Sequence, residues 1–152
     1  MTAGDPLPRL QAWQRQAELP AAALRALAAQ ASPAAAAALV LAFDRALDVH
    51  RRHQQGLAIE MVDAMAGSDP VCIRELGEAL ALQLQDVQRR WQALRGTLLA
   101  GGAADAAALL ALADVCEALQ RREQREWLPM AARLLDDAAL GRLAQAAAPR
   151  SR

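Results

Sequence analysis

The stretch DPVCIRELGEALALQLQDVQRRWQALRGTLL, Asp69 to Leu99, decides the fold. Its apolar residues Ile73, Leu76, Leu80, Leu84, Val87, Trp91, Leu94 and Leu98 recur at alternating steps of three and four, which places them on one face of a long helix. No polar residue interrupts that stripe. Asp69-Pro70 opens the segment with a cap and a first-turn proline, and Gly101-Gly102 closes it, following the preference for proline just inside a helix start and glycine just past its end.

The same punctuation divides the rest of the chain. Ser32-Pro33 opens a helical segment that runs to about Gly67, and Asp105 opens another that ends near Leu135. A segment from about Pro8 to Ala31 contains Pro20, which removes a backbone donor and must kink or break the helix there. A short tail helix is expected from about Asp137 to Ala148. The expected fold is therefore all-α: an antiparallel up-down-up-down four-helix bundle over about 7–135, followed by the short C-terminal helix at about 137–148, all in one domain spanning 1–152.

Composition supports this reading and narrows the function. The 152 residues include 40 alanines and 25 leucines but one phenylalanine, no tyrosine and few β-branched residues, which excludes a β-rich fold. The chain is of ordinary size for one domain. Seventeen basic residues, all arginine, balance seventeen acidic ones, so no overall field draws the protein to nucleic acid or to an anionic membrane. No apolar run approaches the ~20 residues of a membrane span, and the first ten residues lack the basic and apolar regions of a secretory signal. A cytoplasmic location is expected, with Cys72 and Cys116 as reduced thiols acting as small buried apolar residues. There is no glycine-rich phosphate loop, nucleophile elbow or carboxylate pair of hydrolase spacing.

The other three stripes are informative where they fail. The second reads Ala36, Leu39, Phe43, Leu47, His50, Gln54, Leu57, Met61 and Met65, so His50 and Gln54 interrupt it one turn apart. In the fourth, Leu109, Leu112, Cys116, Leu119, Glu123, Trp127 and Met130, the charged member is Glu123. In the first, Leu7, Leu10, Gln14, Ala17, Ala21, Leu24 and Ala28, the exception is Gln14. Buried polar groups need partners, since an unpaired one costs roughly 1–3 kcal/mol. Gln14, His50, Gln54 and Glu123 are accordingly expected to meet in one polar layer inside the bundle. His53, off the stripe and flanked by Arg51, Arg52, Gln54 and Gln55, reads as a solvated surface residue, and Trp13 as the tryptophan best placed for an exposed interface.

Several segments carry a family resemblance in this order. They are Phe43-Asp44 followed by His50, then Trp91-Gln-Ala-Leu-Arg95, then RREQREWLPMAARLL from Arg121 to Leu135, with its acidic run, Leu-Pro and Ala-rich turn. Together they resemble the hemerythrin-like, HHE cation-binding family, over about Leu7 to Arg150. The resemblance implies a di-iron bundle with one His from the first helix, a His-x3-Glu from the second, one His from the third and a His-x3-Glu from the fourth. Placed residue by residue, the first His falls at Gln14, the second-helix pair at His50 and Gln54, the third-helix His at Leu84, and the last pair at Leu119 and Glu123.

Of these positions, His50 and Glu123 hold residues suited to iron. Leucine cannot ligate, and an amide oxygen is a poor iron ligand. The expectation is thus a hemerythrin-like protein that has lost its di-iron site, with no cofactor and no catalysis. It would bind a small polar ligand at the polar layer or act on a protein partner, with no nucleic acid or membrane involved. The alternative is one retained Fe or Zn at His50 and Glu123, supporting weak redox or hydrolytic chemistry.

Overall fold

A computed structural model describes residues 4–147, and these fold into helices with no strand among them. The first segment is split as proline requires. Helix α1 (Pro6–Arg15) ends before Pro20, and α2 (Ala21–Ala29) begins after it. Asp5 caps α1 by accepting the Leu7 N–H at 2.9 Å, with Pro6 in the first turn. Across the break the chain tightens into i to i+3 bonds, with the N–H groups of Gln16, Ala17 and Glu18 donating to the carbonyls of Trp13, Gln14 and Arg15.

The long helices follow. In α3 (Pro33–Ala64) the Ser32 hydroxyl accepts the Ala35 N–H, as the Ser-Pro signal predicts. In α4 (Val71–Leu99) the residue before the helix is Pro70, and no side chain caps it, so Asp69 does not act as the expected cap. Each of these helices is followed by a glycine with positive φ, Gly67 at 88° and Gly101 at 75°, which lets the chain reverse without a Cβ clash. Helix α5 (Ala106–Arg122), capped by Asp105, runs into a π-helical turn (Glu123–Trp127) and then α6 (Leu128–Leu134). Pro129 accounts for that widened turn. It offers no N–H to the carbonyl four residues back, and its ring would press on that carbonyl. The extra residue turns both Trp127 and Leu128 into the core.

Helix α2 packs on α5, α3 on α4, α4 on α5 and α2 on α3, so a single core draws on every helix. Helices α3 and α4 run antiparallel. Phe43 stacks on Trp91 with ring centroids 4.3 Å apart, a contact worth ~0.5–1.5 kcal/mol beyond area burial, and further along Gln54 reaches the Leu80 carbonyl. Asp44 fastens the pair, accepting from Trp91 Nε1 at 2.8 Å and from the Arg95 guanidinium through both oxygens. That guanidinium holds the Asp44 carboxyl below the usual carboxylate range against the opposing effect of its partial burial.

The unbroken stripe of α4 lies in the core, with Leu76 half-buried. Helix α7 (Asp137–Ala147) then folds back across α1 and α3, tied to α3 by an Arg142–Glu60 ion pair at 2.9 Å. The expected end of the tail helix at Ala148 lies outside the described residues. No described helix is long and apolar enough to cross a membrane.

Candidate functional site

The polar layer forms where α3 faces the start of the π-helical turn. His50 and Glu123 have no exposed surface, and Gln54, one turn after His50, is 7% exposed. His50 Nε2–H donates to the Glu123 carboxylate, 2.9 and 3.0 Å from its two oxygens. The Gln54 amide donates to the same carboxylate at 3.1 Å and approaches the Leu80 carbonyl at 3.4 Å. On the other side of the ring, His50 Nδ1–H donates to the Ala17 carbonyl at 2.6 Å.

An imidazole with an acceptor at each nitrogen satisfies both only when doubly protonated. Burial, the largest influence on His50, opposes that charge. The Glu123 hydrogen bond and negative charge, with the Ala17 carbonyl, outweigh it and raise the His50 pKa above its ordinary value. The geometry and the raised His50 pKa both favour an imidazolium beside the buried Glu123 carboxylate, and Gln54 supplies a further donor to it.

Four sequence readings are corrected by the structure here. Gln14 does not enter the layer. The inward residues of α1 are Leu10 and Trp13, which leaves Gln14 half-buried at the edge, and the backbone carbonyl of Ala17 takes its place opposite His50. His53 is not a surface residue. It is 5% exposed, its ring stacks on Trp13 with centroids 4.0 Å apart, and its nitrogens face the carbonyls of Val49 at 3.1 Å and Trp13 at 3.2 Å. Trp13 is correspondingly buried, at 9% exposure. The thiols also diverge: Cys116 is in the core, whereas Cys72 is exposed.

Burial lowers the His53 pKa more than the two carbonyls raise it, so the ring is neutral and donates to one of them. His50 and His53 thus serve the same stretch of chain from successive turns of α3. The break before Pro20 needs partners for its free backbone groups. His50 holds the Ala17 carbonyl and the Gln120 side chain of α5 accepts the Leu19 N–H at 2.8 Å, while His53 backs Trp13, whose carbonyl already accepts from Gln16. Gln120 has no sequence signal of this role. What the sequence does signal, through Pro20, is that some side chain must supply it.

The metal-ligand positions implied by the resemblance can be compared with what fills them. Leu84 and Leu119 are buried, at 6% and 0% exposure, and bring no donor atoms. Among the described residues no three His, Cys, Asp or Glu side chains converge as a metal-binding group. Comparison with protein-family models, with curated proteins and with solved structures found no match to this chain.

Proposed function

We propose that this protein is a hemerythrin-like, up-down-up-down four-helix bundle that has lost its di-iron centre and works as a non-enzymatic binding or regulatory protein. The observation that carries the reading is the state of the Glu123 carboxylate. Its oxygens are taken by His50 and Gln54, while two further positions that would complete a ligand set hold Leu84 and Leu119 in the core. A carboxylate already held by a buried imidazole and an amide is a poor metal ligand, because a metal must first displace those partners and then find further donors. The polar layer is on this reading a structural pin that seats the broken first segment, and ligand or partner recognition takes place at the surface.

Metal analysis of protein produced with added iron and zinc tests this. The expected result is metal well below one equivalent per chain, with the same thermal midpoint with and without a strong chelator. Two irons per chain with oxo-bridge absorption would refute it. A single tightly held Fe or Zn, lost on replacing His50 or Glu123, would replace it with a mononuclear site.

A further inference from the structure

A concavity of about 730 Å3 lies between the end of α1, α3 and helix α7. Its size is that of a small-molecule site. One wall is apolar, lined by Val49 and Gly56 of α3 and by Leu143 and Ala146 of α7. The cleft is also cationic. Arg45 and Arg52 line it together with one carboxylate, Asp48. That carboxylate is engaged by Arg51 at 2.8 Å as well as by Arg52 at 3.0 Å, whereas Arg45 has no ion-pair partner among the described residues. The inner end is the stacked Trp13–His53 pair, and the buried indole N–H of Trp13 has no acceptor among the described residues.

We propose that this concavity binds a small organic carboxylate with an apolar body. The carboxylate pairs with Arg45. The apolar body lies along Val49, Leu143 and Ala146. An arginine without a partner at the mouth of a half-apolar cleft suits a carboxylate, which its planar fork can bind through two hydrogen bonds. The apolar wall separates such a ligand from a bare inorganic anion. The inference does not rest on the hemerythrin-like reading, since no residue that lines this cleft belongs to the implied iron-ligand set.

Isothermal titration of the full-length protein with benzoate and with octanoate, each against its uncharged amide and against inorganic phosphate, tests the proposal. At least one carboxylate should bind saturably at one per chain, and about tenfold or more tighter than its amide or phosphate. Arg45→Ala should weaken that binding about tenfold, Arg45→Lys should retain part of it, and Ala146→Trp should abolish it by filling the cleft. Arg45 and Ala146 are exposed, so circular dichroism should show both variants folded. If Ala146→Trp does not fold, the Arg45 variants decide the matter alone. The proposal is overturned by absence of saturable binding, by equal affinity for acid and amide, by phosphate binding as tightly as the carboxylates, or by affinity indifferent to Arg45→Ala. A metal-loaded protein that still binds the carboxylate would refute the loss of the metal centre and leave this site standing.

Discussion

His50 donates to the carboxylate of Glu123 from 2.9 and 3.0 Å across the core, although 73 residues separate the two and neither has exposed surface. The pair joins α3 to the turn where α5 widens, and through the Ala17 carbonyl it also joins both to the broken first segment.

The energetics of such a pair are lopsided, and this sets the first prediction. Removing one partner leaves a buried charge unpaired, which costs roughly 3–5 kcal/mol, whereas removing both can be nearly neutral. Glu123→Leu should therefore cost ~3–5 kcal/mol in urea unfolding, and Glu123→Gln, which keeps the shape and one acceptor, should cost less. Adding His50→Leu to Glu123→Leu should recover part of the loss. It should not recover all of it, because the Ala17 carbonyl is then left unpaired at ~1–3 kcal/mol and the Gln54 amide keeps only its long contact to the Leu80 carbonyl. A double variant as unstable as the sum of the single ones would show that the two residues do not act as a pair.

The two histidines should respond to pH in opposite senses. His50 has a folded pKa raised above the ordinary imidazole value of 6.5, so the folded state holds the proton more tightly. Its stabilising effect is complete below 6.5 and is lost as pH rises through the folded value. His53 is lowered, so the unfolded chain takes up a proton that the folded one refuses. Its effect is present above 6.5 and is lost as pH falls through its folded value. Urea midpoints measured against pH should thus peak near 6.5. His50→Gln should remove the decline on the alkaline side, and His53→Gln should remove the part of the acid-side decline that His53 causes. A profile whose alkaline decline survives His50→Gln would contradict this assignment.

How far these features could be read in the sequence depends on which surface covers each helix. The stripe of α4 faces the bundle alone, so its period placed every member on the inner side. The interruptions His50, Gln54 and Glu123 were legible for the same reason, since each breaks a stripe at helical spacing. Glu123 carries a second mark in Pro129, which accounts for the widened turn beginning at that residue. His53 and Trp13 escape the stripe pattern because α3 is covered on a second side, by α1 and α7, so its buried face is wider than one stripe. Glu60 is buried on that same side against Arg142. Gln14 failed for a backbone reason: once Pro20 frees the chain ahead of it, a carbonyl reaches His50 and no side chain is needed.

The two thiols provide a separate measure of the fold. Burial pushes the Cys116 thiol up to about 12, so almost no reactive thiolate exists there at neutral pH, and the side chain has no exposed surface. Cys72, at the start of α4, is exposed. A thiol reagent should therefore label one cysteine per native chain within minutes, and the second only in denaturant. Cys72→Ser should leave the native protein unlabelled. Slow labelling of Cys116 in that variant should follow the opening of the core and slow further as stability increases. Rapid labelling of Cys116 in buffer would mean that α5 is not packed as described.

The last prediction tests the ancestry proposed for the polar layer by rebuilding the site. If the hemerythrin-like reading is right, Gln14→His, Gln54→Glu, Leu84→His and Leu119→His together restore the ligand set that the resemblance implies around the retained His50 and Glu123. Without metal this variant should be much less stable than the parent, because Leu84 and Leu119 are core residues and polar replacements leave buried groups unsatisfied. Iron bound to the native state alone raises stability by mass action, so the melting temperature should climb as iron is added anaerobically, while the parent should not respond. A variant unfolded without metal should fold with it, as metal-dependent domains do. Gln14→His is the change least suited to its place, since α1 ends at Arg15 and Gln14 lies at the edge of the layer. Leaving it out should therefore weaken iron binding less than leaving out Leu119→His, whose position is fully buried one turn before Glu123. His50→Leu in the restored background should abolish the response. If the restored chain takes up no iron, whether folded or not, the four positions were never a ligand set and the proposed descent from a di-iron bundle is wrong.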